Sequence, residues 1–201
     1  MSSVNDILAI TVLTVVGLGW AVFTAAFLFR KKGPGTEEQK RDRASIGGII
    51  MQMAGYALVF SIRRPFGSPI AGDSTVINVV AAVIAVLLVV SSVWMVTRAV
   101  QVLGKQWSLA ARLVKGHELI VEGPYRIVRH PIYTGMLGLL IASGLAISRW
   151  WAIVAGLAVF VAGTIVRTRI EERLLRGQFG KQYDEYAKRV PALLPLKGHA
   201  S

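Results

Sequence analysis

Cysteine is absent from this 201-residue chain, which excludes disulfides, zinc held by thiolates and catalysis by a cysteine nucleophile. Histidine is also rare. The three that occur are His117, His130 and His199, and no two of them stand three or four residues apart, the spacing that places two metal ligands on one helix face. The sequence therefore predicts no metal site.

Acidic residues are few: 11 Asp and Glu stand against 23 Lys and Arg, which gives a formal net charge of +12. In a soluble protein this excess would indicate a nucleic-acid partner. Here the basic residues lie in the gaps between hydrophobic runs and not along one folded face. We therefore attribute the basic charge to membrane topology and expect no nucleic-acid partner.

Long uncharged runs dominate the rest of the chain. Hydrophobic residues make up 54% of it and the mean hydropathy is +0.55, both too high for an ordinary soluble domain. Five runs are candidates for crossing a bilayer as helices, which takes about 20 residues. They span about residues 4–29, 46–62, 75–96, 132–147 and 150–166. We expect one all-α integral membrane domain over residues 1–201, in which the second, fourth and fifth runs are short for a full crossing.

The distribution of Lys and Arg predicts how the chain is oriented in the membrane. No Lys or Arg precedes the first run, whereas Arg30, Lys31 and Lys32 follow it, which is the reverse of the charge order of a signal peptide. Twenty of the 23 basic residues lie in the ranges 30–45, 98–131 and 167–201. Because cytosolic loops are rich in Lys and Arg, this pattern favours five crossings with the N-terminus outside and the C-terminus in the cytosol.

Two polar clusters flank the last two hydrophobic runs. The first, residues 123–135, reads GPYRIVRHPIYTG, and the second, residues 167–172, reads RTRIEE. Arg149 is the one charged residue between them, and it stands where a hairpin of two helices would turn. The hairpin would bring both clusters to the same cytosolic end. Ionisable groups are costly to place at a membrane boundary, so we expect these two clusters to form the functional site.

Polar and small residues inside the runs predict contacts between helices. Gln52 stands in the second run, where we expect a hydrogen bond to a neighbouring helix. Gly156 and Gly163 share one face of the last run and predict the close approach of another helix. After Glu172, apolar residues at helical spacing predict an amphipathic helix that ends at Pro191. These apolar residues are Leu175, Phe179, Tyr183, Tyr186 and Val190.

Several short motifs follow one another in the second half of the chain. They are LGKQWS at 103–108, HELI at 117–120, GPYR at 123–126, RHPIYTG at 129–135, EE at 171–172 and an FG-to-RVP segment at 179–191. In this order and spacing they resemble the isoprenylcysteine carboxyl methyltransferase family, which is related to the phospholipid N-methyltransferases. The resemblance covers residues 98–195, about half the chain. It implies an integral membrane enzyme with a cytosolic cofactor pocket for S-adenosylmethionine, formed by residues 98–131 and 167–195.

The resemblance also implies roles for the matching residues. Three elements that line the family's cofactor site correspond here to His117, Glu118, Leu119, Ile120, Tyr125, His130, Pro131, Ile132 and Tyr133. The family's Arg-x-x-x-Glu pattern matches Arg167, as the substrate-binding and catalytic residue, and Glu171, as a cofactor-binding residue. Glu172 belongs to the same expected cofactor site. Arg129 is a second substrate-binding candidate.

The chemistry of S-adenosylmethionine suits these residue types. A carboxylate is the side-chain group best suited to bind its ammonium group, and we expect Glu171 to bind it. Its carboxylate suits backbone N–H groups where the fourth helix begins, helped by His130 or Arg129, because helix N-termini attract anions. Tyr125 or Tyr133 would lie against the sulfonium or the adenine ring.

The leading hypothesis is methyl transfer to the carboxylate of a lipidic or prenylated acceptor that enters from the bilayer. A carboxylate needs no general base to attack a sulfonium, and the reaction neutralises both charges, which a low dielectric favours. The protein would then contribute mainly alignment and exclusion of water. Arg167 would hold the acceptor carboxylate through its two-pronged donor geometry.

Three alternatives remain open at this point. An amine acceptor, as in phospholipid N-methylation, would need a base, for which Glu118 and Glu122 are the nearest candidates beyond the Glu pair. A lipid or sterol reductase that uses NAD(P)H can share a similar membrane core, although no glycine-rich dinucleotide loop follows a strand here. The third alternative is a non-catalytic membrane scaffold. The oligomeric state does not follow from the sequence.

Overall fold

The computed structural model describes residues 4–29, 38–41, 44–69, 74–104, 112–114 and 118–195. Most of these residues are helical. The helices in the described ranges are α1 (Val4–Leu28), α2 (Ser45–Ser61), α3 (Thr75–Leu103), α4 (Pro131–Ile147), α5 (Trp150–Phe179) and α6 (Lys181–Arg189). A 3-10 turn spans Gly123–Arg126, and two short strands are β1 (Glu38–Arg41) and β2 (Arg112–Val114).

Each of the five hydrophobic runs predicted from the sequence is a helix, so the helical prediction is confirmed. Among the described residues, α1, α3 and α5 are long and apolar enough to cross a membrane. α2 and α4 have 17 residues each. At about 1.5 Å per residue they are roughly 26 Å long, less than the hydrocarbon core of about 30 Å. Five crossings stay a prediction.

The strands β1 and β2 are an addition to the all-α prediction. They pair antiparallel, with Glu38 opposite Val114 and Arg41 opposite Arg112, and the register is irregular between Glu38 and Lys40. The two segments lie more than 70 residues apart in sequence. Neither segment shows the alternation of apolar and polar residues that identifies a strand from sequence, so the pairing was not predicted.

α5 continues well beyond its apolar run. The predicted crossing ended at residue 166, but the helix reaches Phe179 because the polar stretch RTRIEERLLR is rich in residues of good helix propensity. The second polar cluster therefore lies within α5 and not after it. Gly180 then breaks the helix with φ +51°, a conformation that glycine adopts without strain. The single amphipathic tail helix that we predicted is thus the end of α5 followed by α6, which stops before Pro191 as expected.

Glycines bring α2 and α5 into backbone contact. A Cβ built on Gly163 would lie 2.7 Å from the carbonyl oxygen of Gly48, and one built on Gly55 would lie 2.7 Å from the carbonyl oxygen of Gly156. No side chain fits at such distances. The close approach predicted from Gly156 and Gly163 is therefore confirmed, and α2 is the helix that approaches.

The two larger apolar clusters among the described residues both include residues of α4. The first joins α1, α3 and α4 through Val12, Val16, Ala82, Ala85, Val89, Leu139, Ala142 and Ala146. The second joins α2, α4 and α5 through Tyr56, Val59, Leu140 and Phe160. Trp20 links them, since its indole N–H donates to Ser143 Oγ at 3.0 Å and its ring meets the Tyr56 ring edge-on. The position of α4 is therefore fixed from two sides.

A turn of two residues, Ser148 and Arg149, joins α4 to α5, as the position of that charge predicted. Arg64 caps the end of α4 by donating to the carbonyl oxygens of Leu145 at 2.6 Å and Ala146 at 2.9 Å. Because the turn is so short, α4 and α5 run antiparallel. The first turn of α4 consequently lies beside the polar half of α5.

Candidate functional site

The hairpin brings the two polar clusters into contact. The Tyr133 hydroxyl donates to a carboxylate oxygen of Glu171, and His130 Nε2 lies 3.0 Å from Glu172 Oε1. We call the combined group the carboxylate cluster. It consists of Arg129, His130, Tyr133, Arg167, Glu171 and Glu172. The predicted meeting of the two polar clusters is confirmed.

Glu172 is held through one of its two carboxylate oxygens, Oε1. Arg129 donates to its Oε1 from Nε at 3.1 Å and from a terminal nitrogen at 2.8 Å, and His130 Nε2 approaches the same oxygen. Three nitrogens therefore converge on one carboxylate oxygen. Such charge-assisted contacts are stronger than neutral hydrogen bonds, so this carboxylate is fixed in place by the protein.

Glu171 has a different set of neighbours. It accepts the hydrogen bond from the Tyr133 hydroxyl, its Oε2 lies 3.5 Å from His130 Nδ1, and its Oε1 lies 3.8 Å from a terminal nitrogen of Arg167. The last two distances are longer than those around Glu172. Glu171 is thus near positive charge but less firmly bonded to it than Glu172 is.

His130 lies between the two carboxylates, just before α4 begins. Burial lowers the pKa of its imidazole, but the hydrogen bonds and charges of Glu171 and Glu172 outweigh burial and raise that pKa above its ordinary value of 6.5. In the protonated ring both nitrogens donate, which matches a carboxylate on each side. The site therefore favours the imidazolium form.

Accessibility differs among the members of the cluster. The side chains of Glu171, Glu172 and Arg129 are 25%, 18% and 14% exposed, whereas those of His130 and Arg167 are only 5% and 6% exposed. A molecule approaching from outside would therefore reach Glu171 more readily than His130 or Arg167.

Arg167, a residue of α5, is buried against α2 and α4. One terminal nitrogen donates to Gln52 Oε1 at 3.0 Å, and the guanidinium carbon lies 4.8 Å from the centre of the Tyr133 ring. The second contact is a cation–π interaction. The Gln52 contact confirms the prediction that this amide bonds to a neighbouring helix.

The segment after α6 folds back over the start of α4. Backbone N–H groups of Arg129 and His130 donate to the carbonyl oxygens of Pro191 at 2.8 Å and Ala192 at 3.0 Å, and the Thr134 hydroxyl donates to Leu193. Two of the backbone N–H groups near the expected anion site are thus bonded within the protein. Among the described residues at this helix start, the N–H groups of the first turn of α4 itself stay candidates for the cofactor carboxylate.

Arg129, predicted as a second substrate-binding residue, also bonds to the backbone around the end of α6. Besides Glu172, its guanidinium donates to the carbonyl oxygens of Ala187 at 2.9 Å and Val190 at 2.5 Å. These bonds connect α5, the end of α6 and the start of α4. Substrate binding by Arg129 stays a prediction.

The remaining predicted residues lie on the segment that leads into α4. Tyr125 is buried in the 3-10 turn, where its carbonyl oxygen accepts from the Tyr186 hydroxyl at 2.7 Å. Glu118 is exposed, Leu119 and Ile120 are half-buried, and Pro131 and Ile132 form the first turn of α4. His117 lies outside the described residues.

The sequence did not reveal two residues that support the site. Thr164 stands one turn before Arg167 and accepts a hydrogen bond from Gln52 Nε2 at 2.9 Å. Gly48 faces the Arg167 side chain, because a Cβ there would collide with its Cγ. Gln52 did stand out as an amide in an apolar run, but its contact with Arg167 depends on helix packing that no local pattern encodes.

A family profile described as phospholipid methyltransferase matches residues 80–182, which include both polar clusters. Protein-S-isoprenylcysteine O-methyltransferase B of Arabidopsis thaliana is 37% identical over 80 residues, which cover 40% of this chain and 41% of that protein. Protein-S-isoprenylcysteine O-methyltransferase of Schizosaccharomyces pombe is 30% identical over 88 residues, covering 44% of this chain and 37% of that protein.

A further relative has a different acceptor in its name. Methanethiol S-methyltransferase 2 of Bradyrhizobium diazoefficiens is 40% identical over 78 residues, which cover 35% of this chain and 26% of that protein. The chain thus spans about two fifths or less of the length of these three relatives.

Proposed function

The chain belongs to the phospholipid methyltransferase family, and we propose that it is a membrane enzyme that transfers a methyl group from S-adenosylmethionine to the carboxylate of a lipidic or prenylated acceptor. The observation that carries this proposal is the carboxylate cluster, in which Glu171 and Glu172 are accessible at the end of a membrane hairpin. The buried side chains of His130 and Arg167 lie within 4 Å of these carboxylates.

The residues of the cluster suit the charged groups of the cofactor. Glu171 would hold the ammonium, because Glu172 is already fixed by Arg129 and His130, whereas Glu171 is more exposed and its cationic neighbours are farther away. With His130 protonated, three cations face two carboxylates in this cluster. Such an excess of positive charge suits one additional bound carboxylate.

Arg167 would hold the carboxylate of the acceptor. When bound, S-adenosylmethionine supplies an electrophilic methyl group on a sulfonium. Arg167 would align the acceptor oxygen with that methyl group, and the Tyr133 ring against its guanidinium limits where the guanidinium can move. The protein contributes alignment and exclusion of water, so no side chain needs to remove a proton from a carboxylate acceptor.

A carboxylate acceptor is favoured over an amine for a physical reason. An ammonium group must lose a proton before it attacks, which requires a base. In the described part of the cluster, Glu172 is held by Arg129 and His130, whose hydrogen bonds and charges outweigh burial and lower the pKa of its carboxyl. Glu172 is therefore a poor base.

We place the carboxylate cluster on the cytosolic side of the membrane. α1, α3 and α5 are the apolar helices that support membrane insertion. The sequence ranges that contain the charged residues of the cluster, 98–131 and 167–201, carry 14 of the 23 Lys and Arg residues, as expected for a cytosolic face. The lipidic acceptor would then reach the site from the bilayer and the cofactor from the cytosol.

Binding of S-adenosylhomocysteine, the demethylated cofactor, tests the proposal directly. We expect calorimetry on the protein purified in detergent to detect binding, and Glu171→Ala to abolish it. Glu185→Ala is the matched control, because Glu185 is an exposed carboxylate on α6 that lies outside the carboxylate cluster and outside the expected cofactor site. A wild-type protein that is folded and binds no S-adenosylhomocysteine would refute the proposal.

The acceptor class follows from a second measurement. Membranes that contain the protein would be incubated with S-adenosylmethionine carrying a radiolabelled methyl group. A carboxylate acceptor gives a methyl ester, whose label is released by mild base, whereas an N-methyl product keeps its label. Base-stable product would replace the carboxylate acceptor with an amine, and no product together with normal cofactor binding would favour a scaffold.

A further inference from the structure

Helix α2 lies outside the range matched by the family profile, yet it contacts Arg167, the residue proposed to bind the acceptor. Gln52, in the middle of α2, is 1% exposed and accepts a hydrogen bond from Arg167 at 3.0 Å. A buried amide that bonds a buried guanidinium restricts the orientations open to both side chains.

The orientation of the Gln52 amide is itself determined by its neighbours. The Thr164 hydroxyl donates its single proton to the carbonyl oxygen of Phe160 at 2.9 Å, so towards Gln52 it acts as an acceptor. Gln52 must therefore point its NH2 group at Thr164. Its oxygen then points at Arg167, which has only donors to offer.

Gly48 stands one helical turn before Gln52 on the same face of α2. A Cβ at Gly48 would collide with Arg167 Cγ and would lie 2.8 Å from the carbonyl oxygen of Gly163. The aliphatic part of Arg167 thus runs through the space left by the missing side chain. In α2, Gly48 thus leaves room for the aliphatic part of Arg167, and Gln52 provides a hydrogen-bond acceptor for its guanidinium.

We propose that Gln52 is a positioning residue, which holds one terminal nitrogen of Arg167 so that the other faces Glu171 and the methyl acceptor. This inference rests on the proposed function, because it assigns Arg167 to the acceptor carboxylate. Without Gln52 the guanidinium would keep its charge and its contact with Tyr133, but it would lose the bond that fixes its rotation.

Nuclear magnetic resonance of the arginine side chains tests the positioning without any acceptor. In the wild-type protein in detergent micelles, we expect separate, slowly exchanging signals for the terminal nitrogens of Arg167, assigned by their loss in Arg167→Lys. Gln52→Met keeps the length of the side chain but removes the acceptor, so these signals should merge. Gln52→Glu keeps an acceptor, and the Thr164 hydroxyl can turn to donate to it, so the signals should stay separate.

Turnover measurements test what the positioning does. We expect Gln52→Met to reduce methyl transfer at saturating S-adenosylmethionine by about 10- to 100-fold, the range for a lost hydrogen bond to a charged group. The affinity for S-adenosylhomocysteine should stay unchanged, and Gln52→Glu should restore part of the rate. Ser143→Ala is the control, since it removes another hydrogen bond between helices, that with Trp20, far from Arg167 in sequence.

Two results would overturn the inference. One is that the Arg167 signals remain separate in Gln52→Met. The other is that cofactor affinity and turnover fall together in Gln52→Met by the same factor as in Ser143→Ala, which would indicate a general loss of packing. Failure of the wild-type protein to bind S-adenosylhomocysteine would instead refute the proposed function, and the signals of Arg167 would still report whether Gln52 orients it.

Discussion

Arg129 and Glu172, 43 positions apart in sequence, are joined by two hydrogen bonds to one carboxylate oxygen, at 3.1 and 2.8 Å. The same guanidinium donates to two carbonyl oxygens near the end of α6. Arg129 therefore connects the start of α4, the polar half of α5 and the tail, by which we mean α6 and the residues that follow it. A substitution of this one residue would therefore affect both the site and the tail.

Replacing Arg129 with Met should destabilise the protein and release the tail. We expect the free energy of unfolding to fall by about 3 kcal/mol, the upper range for hydrogen bonds that involve a charged group. Thermal unfolding in detergent measures this change, and trypsin should cut faster after Lys188 and Arg189. Arg176→Met is the control, because Arg176 forms an exposed ion pair with Asp184 and should alter neither result.

Arg167 and Glu171 should have separable functions although they lie one helical turn apart. We expect Arg167→Ala to keep the affinity for S-adenosylhomocysteine but to reduce methyl transfer by about 10- to 100-fold or more, since one or more hydrogen bonds to the acceptor carboxylate are lost. Calorimetry and radiolabelled turnover on the same preparation distinguish the two effects. Arg167→Lys keeps the charge but not the two-pronged geometry, so it should recover only part of the rate. Loss of cofactor binding in both variants would assign Arg167 to the cofactor instead.

The raised pKa of His130 predicts how stability depends on pH. A group whose folded pKa lies above its unfolded value stabilises the folded state fully below the unfolded pKa, here about 6.5, and loses that contribution as the pH rises through the folded pKa. We expect the melting temperature to decrease over this window. His130→Gln, which cannot titrate, should flatten that part of the profile. An unchanged profile would show that the pKa of His130 is the same in the folded and unfolded protein, which would contradict the raised pKa.

The contact between α2 and α5 makes Gly163 intolerant of a side chain. A Cβ there would lie 2.7 Å from both the Gly48 carbonyl oxygen and Met51 Cβ, so Gly163→Ala should cost about 1–3 kcal/mol in stability, as overpacking does. Gly177→Ala is the matched control in the same helix, because a Cβ at Gly177 meets nothing within 4 Å. Alanine favours helix by about 1 kcal/mol over glycine, so this control should be stabilising. Equal effects of the two substitutions on thermal unfolding would contradict the packing argument.

The sequence was most informative where charge interrupts an apolar run. α4 was predicted to begin at residue 132 and begins at Pro131, and the turn at Arg149 lies where it was expected. These boundaries follow from the cost of placing charge in an apolar environment, which is a local property. Because the turn at Arg149 was expected to be short, the two polar clusters were expected to meet. Much of the carboxylate cluster could therefore be predicted.

The remaining features depend on contacts between distant segments. The apolar run ends at Val166, but α5 continues because helix propensity and hydrogen bonding do not depend on hydrophobicity. The pairing of β1 with β2 and the contact of Gln52 with Arg167 join segments that are far apart in sequence. The hydrogen bonds of Arg129 to Ala187 and Val190 could not be predicted either, because they depend on the position of α6.

The two-residue turn between α4 and α5 makes the alignment of the site depend on the number of residues in α5. Inserting one residue between Trp150 and Arg167 would leave the helix intact but rotate everything beyond the insertion by about 100° and shift it by about 1.5 Å. Glu171 would then face away from Tyr133. Substitutions along this stretch alter packing, whereas a single insertion or deletion would change the phase of the helix and separate the two halves of the site.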